Sequence, residues 1–216
     1  MTEGQASVAG PRDISRFAWR RYRKAPAAVR VLMTLRPLIC PLEVVADAVP
    51  GGARVLDVGC GAGLLLHWLA LRKALAEGTG FDTSPRAVAA ATACVAADEP
   101  LRFECLAPDS PWPAGPFDVV TVVDVLHHVP PDRQRAFIGR LRQTGARCVV
   151  VKDVDRRPRW KAWANALHDL LMTRRRVYPR AMAEVAAWLS EDGFRVTRAE
   201  RLDRLCYAHY LIVAER

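Results

Sequence analysis

Val55-Leu56-Asp57-Val58-Gly59-Cys60-Gly61-Ala62-Gly63-Leu64 is the stretch whose reading decides the fold. An apolar run over Ala53 to Val58 reads as a buried strand, and a helical pattern covers Gly63 to Ala76. Between them three glycines stand at alternate positions. Glycine belongs where a chain turns sharply from strand to helix and lets a ligand approach its backbone. The spacing is G-x-G-x-G, not the G-x-G-x-x-G of dinucleotide binders. No lysine follows in the phosphate-binding position, which excludes a P-loop. Asp57 stands two residues before the first glycine, where a carboxylate can accept loop amides or attract an ammonium group.

Downstream the chain alternates. Thr79 to Asp82 reads as a second strand, Pro85 to Ala97 as a helix capped by Ser84, and Leu101 to Cys105 as a third strand. Pro108 to Pro116 is a proline-rich loop. Phe117 to Val123 and Arg147 to Val151 are apolar strands on either side of a helix over Asp132 to Gln143. Strands without polar alternation, separated by helices, predict a parallel sheet covered on both faces. The tail differs: a helix over Pro179 to Leu189 precedes strands at Phe194 to Thr197 and Tyr207 to Ala214, joined without a helix and so antiparallel. Upstream, residues 1–12 read as a disordered tail and 13–50 as a helical cap broken by Pro26, Pro37 and Pro41. The main domain is expected over 51–216, with a substrate insertion over 153–180.

Asp82 ends the second strand in Gly80-Phe81-Asp82-Thr83-Ser84, 19 residues after Gly63. A carboxylate there suits the two hydroxyls of a ribose. The glycine turn, this pentapeptide and the stretch Pro116-Phe117-Asp118-Val119-Val120-Thr121-Val122-Val123-Asp124-Val125-Leu126-His127-His128-Val129 each match a motif of one family. The chain resembles the class I S-adenosylmethionine-dependent methyltransferases, in the form common to enzymes related to the ubiquinone and menaquinone methyltransferases. The resemblance covers residues 50–155 by motif and the rest by pattern. It implies an α/β fold: a Rossmann-like, doubly wound, seven-stranded sheet with six parallel strands and one antiparallel near the C-terminus. It implies S-adenosyl-L-methionine as methyl donor and S-adenosyl-L-homocysteine as product. Asp57, Gly59, Cys60, Gly61, Gly63 and Leu64 would form the cofactor turn, Asp82 and Thr83 the ribose end, and Asp124 and His127 the methionine end. The acidic residue that the family often places after the third strand is displaced here to Asp109, so no adenine contact is carried over.

Methyl transfer from a sulfonium is an in-line displacement, and for a hydroxyl or carbon acid a proton must also leave. His127 and His128 follow the fourth strand, and histidine is the residue type that titrates near neutral pH, so either suits a general base. Lys152 and Asp153 follow the fifth strand at the same edge. His168 shares a helix face with Lys161 and Asn165 and is bordered by Asp169, beside a stripe of Trp160, Trp163, Leu167 and Leu171. His128, His168, Lys152, Asp153 and Asp169 are therefore the catalytic candidates, set against a reading of the last helix as an ordinary amphipathic one.

Composition bounds the rest. The 216 residues and 51% hydrophobic content suit one α/β domain. Six scattered cysteines without a C-x-x-C pair argue against a zinc site and a disulfide scaffold, so no metal is expected and a reducing cytoplasm is. No apolar run is long enough to span a bilayer, and no secretory signal is present. The net charge of +9, with Arg20, Arg21, Arg23 and Lys24 interleaved among Phe17, Trp19 and Tyr22 and with Arg174-Arg175-Arg176, admits an anionic acceptor, a carrier protein or a peripheral membrane contact. Nucleic acid is disfavoured, because the fourth strand ends in D-V-L-H-H rather than an N/D-P-P-Y/F tetrad. The expected function is methylation of a small apolar or aromatic hydroxylated molecule of the secondary-metabolite kind, on oxygen before carbon. An RNA methyltransferase and a non-catalytic cofactor-binding regulatory subunit are the alternatives.

Overall fold

The computed structural model describes residues 9–156, 177–204 and 207–216. Three helices lead: α1 (Pro11–Arg21), followed by a 3-10 turn at Tyr22–Lys24, then α2 (Ala27–Ile39) and α3 (Leu42–Asp47). The alternating core comprises β1 (Arg54–Val58), α4 (Leu64–Lys73), β2 (Glu77–Asp82), α5 (Pro85–Ala93), β3 (Leu101–Cys105), β4 (Val119–Val123), α6 (Gln134–Gln143) and β5 (Cys148–Val154). The tail is α7 (Met182–Glu191), β6 (Arg195–Arg204) and β7 (Tyr207–Glu215).

The seven strands form one sheet in the order β3-β2-β1-β4-β5-β7-β6. All neighbours are parallel except β7, which runs antiparallel to both β5 and β6. The chain winds outward from β1 to one side, returns, and winds outward from β4 to the other. That reversal between β1 and β4 opens a crevice at the carboxyl ends of the strands, where ligands of open α/β sheets bind. The doubly wound, mixed sheet read from the sequence is the one observed.

The sheet's two faces bury separate cores. Val55, Val119, Val150, Leu211 and Val213 pack under α1–α4, while Leu56, Val120, Val149, Val151 and Ile212 pack under α6 and α7. β1 and β4 contribute to both cores, which is why their sequences show no polar alternation.

Three boundaries move. α1 begins at Pro11, inside the stretch expected as a tail, because Pro11 opens the helix with its fixed φ and Asp13 accepts the Gly10 amide at 2.9 Å. Pro37 does not break its helix; it lies in the last turns of α2. β5 runs on through Val154, so Lys152 and Asp153 stand inside a strand instead of after it, paired in register with Leu211 and Tyr210 of β7. The antiparallel partner supplies the hydrogen bonds that carry the strand past its last apolar residue pair. Trp160, Lys161, Trp163, Asn165, His168, Asp169 and Arg174–Arg176 lie outside the described residues.

Candidate active site

The glycine turn is held by backbone. The amides of Gly59 and Cys60 both donate to Phe81 O, at 2.9 and 3.0 Å, and Gly63 N donates to Cys60 O. Gly59 and Gly63 have φ of +71° and +78°, which favours glycine. Space excludes larger residues too. A Cβ on Gly59 would lie 2.5 Å from Val125 Cγ2, and one on Gly63 would lie 2.6 Å from the Phe103 ring. A Cβ on Gly61 would meet nothing within 4 Å, so its place on the turn is left open for a ligand. Leu64 is the first residue of α4 and buries its side chain in the core, so only its backbone belongs to the turn.

Two carboxylates flank the turn. Asp82 accepts Gly61 N at 2.8 Å through Oδ2 and Ser84 N at 2.9 Å through Oδ1. Each oxygen keeps a lone pair for a further donor. Asp57 is buried and accepts the Thr121 hydroxyl at 2.7 Å. Burial pushes its pKa up to about 7, only partly offset by that hydrogen bond and by Arg36. Cys60 is half-buried, and burial raises its thiol far above the ordinary range, so it is no nucleophile.

A cavity of about 580 Å³ opens beside the turn. Gly59, Asp82, Thr83, Asp109, Asp124 and His128 contribute polar groups to it, and Phe81, Trp112, Val125 and Phe137 its apolar wall. Asp109, displaced in the sequence, is thus brought to the same wall. Trp112, Phe137 and Arg140, which stacks over Trp112 at 4.4 Å, carry no local motif and escape sequence reading.

The end of β4 is the most charged part of the site. Asp124 has φ +57°, a conformation that costs of order 1–3 kcal/mol for a non-glycine residue. Its amide donates to Lys152 O at 2.9 Å, and its carboxylate meets Lys152 Nζ at 2.5 Å and Arg36 Nη2 at 3.3 Å. Burial works against ionisation of Asp124, but the two cations outweigh it and hold the carboxyl well below the usual range. Burial likewise opposes charge on Lys152, and Asp124 more than restores it. Lys152 is fully buried against the N-terminal helices and serves Asp124; it is not on the cavity wall. Arg36 of α2 has no sequence signal, since its partner lies 88 residues away.

His127 and Asp153 form a buried pair, Nδ1 to Oδ1 at 2.5 Å, with Asp153 Oδ2 also accepting the Leu126 amide at 2.8 Å. The His127 ring stands 4.0 Å from the His128 ring, centroid to centroid. His128 is the exposed one of the two and reaches the cavity. A buried histidine–carboxylate pair is thus found at His127 and Asp153. Asp124, His127 and Asp153 also bring one potential metal-ligand atom each within 4.8 Å of one another. Lys152 and Arg36 already neutralise Asp124, and His127 already takes one oxygen of Asp153. Gln134 locks the turn, its amide donating to Leu126 O, Val129 O and Tyr178 O at 3.0, 3.1 and 2.8 Å.

Comparison with known proteins identifies the family. The methyltransferase domain family matches residues 20–199. A ubiquinone biosynthesis O-methyltransferase from Xanthomonas axonopodis pv. citri is 30% identical over 215 residues, covering 90% of this chain and 85% of that protein. One of the same description from Pseudomonas aeruginosa is 32% identical over 159 residues. The match spans 66% of that protein's length and 67% of this chain. The crystal structure of magnesium protoporphyrin IX methyltransferase from Synechocystis PCC 6803 with bound S-adenosylhomocysteine superposes with a TM-score of 0.66, at 23% identity and 95% coverage of both chains. The [4+2]-cyclase SpnF shares the fold with a TM-score of 0.64 at 18% identity, covering 82% of this chain and 80% of that one. By its sequence profile, its three motifs in register and its mixed seven-stranded sheet, the chain belongs to the methyltransferase domain family, in the class I S-adenosylmethionine-dependent group.

Proposed function

We propose that this chain methylates a small, apolar or aromatic hydroxylated acceptor, on oxygen, with His128 as general base. The observation that carries the proposal is the shared cavity: His128, Asp82 and Gly59 line one wall system together with Trp112 and Phe137. O-methylation in ubiquinone biosynthesis, the activity of these relatives, favours oxygen over carbon.

S-adenosylmethionine supplies the electrophilic methyl group when bound. The glycine turn fits it at Gly61, where a Cβ would meet nothing within 4 Å and the backbone is open to a ligand. Asp82 is read as the ribose acceptor and Asp57 as the partner of the amino acid's ammonium. His128 takes the acceptor's hydroxyl proton at an imidazole nitrogen. His127 backs its ring, and Asp153 fixes His127, so both are positioning residues. The helices before Pro50 act as a cap: Tyr22 donates to Ala62 O of the glycine turn at 2.6 Å, and Arg36 reaches Asp124.

The test is release of S-adenosylhomocysteine from a panel of hydroxylated aromatic acceptors. Removing a general base costs about 100-fold or more in turnover. His128→Ala is therefore expected to lower kcat by that factor at saturating cofactor, with cofactor affinity within about threefold of wild type. His168→Ala run in parallel separates the two candidate bases. Turnover near wild type in His128→Ala would sink the base assignment. Product release with no acceptor on the panel would leave cofactor binding as the function.

A further inference from the structure

Helix α2 inverts the usual pattern of a surface helix. Its exposed residues are Ala27, Ala28, Val31, Leu32, Leu35 and Leu38, and every one is apolar. Its polar residues, Arg30, Thr34 and Arg36, are turned partly inward and bonded there: Arg30 to Trp19 O, Thr34 to Arg30 O and Arg36 to Asp124. The spacing 28, 31, 32, 35, 38 puts the large aliphatic side chains on one continuous stripe. Five of the six exposed large hydrophobic residues found among the described residues lie here or next to it: Trp19, Val31, Leu32, Leu35 and Leu38, with Leu32 and Leu35 about half exposed (49% and 51%). Elsewhere such residues are scattered singly, which needs no explanation; a contiguous patch does.

The charge beside the patch has one sign. Arg12, Arg16, Arg20, Arg23 and Lys24 are exposed on α1 and the turn that leads into α2, against a single exposed carboxylate, Asp13. The Arg30 guanidinium lies 3.6 Å over the Trp19 ring, so cation and aromatic form one amphipathic unit at the patch edge. An apolar helix face bordered by Arg, Lys and Trp is complementary to the boundary between anionic headgroups and acyl chains.

We infer that the α1–α2 hairpin docks this protein on an anionic membrane surface, with Val31, Leu32, Leu35 and Leu38 entering the interface and the basic residues of α1 meeting lipid phosphates. The inference goes beyond methyl transfer and does not depend on the acceptor. It has a consequence for the site, because α2 also carries Arg36, which holds the cavity residue Asp124. The docked stripe and Arg36 stand on the same helix, so docking would turn the Asp124 end of the cavity toward the lipid.

The test is flotation of the full chain with vesicles of phosphatidylcholine alone or of phosphatidylcholine with 30% phosphatidylglycerol, a composition chosen as about the anionic content that attracts basic helices. Wild type is expected to float with the anionic vesicles and not with the neutral ones. The double variant Leu32→Glu/Leu35→Glu is expected to lose at least about tenfold in partitioning, as is Arg20→Glu/Arg23→Glu. Binding of S-adenosylhomocysteine, measured by thermal shift, confirms that each variant is folded. No flotation of wild type overturns the inference. So does equal flotation of the double leucine variant, which would reduce the contact to charge alone. A wild-type dimer that Leu32→Glu/Leu35→Glu converts to monomer would assign the face to a second copy of this chain and overturn it as well.

Discussion

Gly63 and Asp57 show how narrowly single residues are constrained. Gly63 joins a φ of +78° to a position where a Cβ would sit 2.6 Å from the Phe103 ring and 3.0 Å from Ala91 Cβ. Gly63→Ala therefore meets both backbone strain and overpacking, and a loss of about 2–4 kcal/mol is expected. A denaturant titration reads the loss, and calorimetry should show S-adenosylhomocysteine binding weakened as the turn shifts. Asp57 gives a pH prediction. Its carboxyl, raised to about 7 by burial, is largely protonated below neutrality in the unliganded protein. A ligand ammonium beside it favours the charged form, so binding should release a proton. Cofactor affinity is expected to rise from pH 6 to pH 8, by up to about tenfold, one pKa unit being about 1.4 kcal/mol. Asp57→Asn should flatten that rise; an unchanged slope would place the ammonium elsewhere.

At the scale of elements, the decisive piece is the turn after β4. The 3-10 turn at Leu126–His128 is tied to its surroundings by one buried side chain: the Gln134 amide of α6 meets Leu126 O of the turn, Val129 O just after it and Tyr178 O of the chain before α7. Arg180 in turn donates to Gln134 Oε1. The chain just before α7 is thereby fastened to the histidine turn, with Tyr178 N also donating to His127 O at 2.7 Å. Gln134→Ala removes the donor to Val129 O and Tyr178 O, while Leu126 O keeps its bond from the Val129 amide, at about 1–3 kcal/mol for each acceptor left unpaired where water cannot reach. The expected outcome is a lower melting temperature together with a fall in kcat, while cofactor affinity, set on β1 and β2, changes little. A kcat that stays at wild type would show that the turn does not position His128.

Across the whole molecule, acid stability follows from two buried histidines that do not line the cavity. His67 of α4 is fully buried, with Nε2 3.1 Å from Ala91 O, and His209 of β7 is buried with Nε2 2.9 Å from Ile39 O. Burial lowers both pKa values from 6.5 to about 4. A folded-state pKa below the unfolded value means that the unfolded chain binds more protons between the two. Stability should therefore fall as pH drops from about 6.5 to about 4, by up to about 3 kcal/mol per histidine. Asp57 acts in the opposite sense over nearly the same range, since its folded pKa is the raised one. Melting temperatures from pH 7 to pH 4 for wild type and His67→Gln should show a shallower acid decline in the variant. His209 ties α2 to the sheet and His67 ties α4 to α5, so the same scan reports whether those layers unfold together.

Much of this protein is written locally. The strand–glycine–helix turn, Asp82 at the end of β2 and the unpatterned apolar runs of β1 and β4 determine an α/β sheet wound both ways and a nucleoside site at its reversal. Those features depend on neighbours in the chain, where backbone conformation and periodicity leave a readable trace. Which charged residues face the cavity depends on neighbours in space. Lys152 and Asp153 are adjacent in sequence, yet strand alternation sends one to Asp124 under the N-terminal helices and the other to His127 on the opposite face. Arg36, Trp112 and Phe137 reach the site only because packing brings their helices and loops to it. The exposed stripe of α2 is hidden for the same reason. In sequence it belongs to a proline-broken helical cap, and only the packed structure shows that its aliphatic stripe is more exposed than Arg30, Thr34 and Arg36.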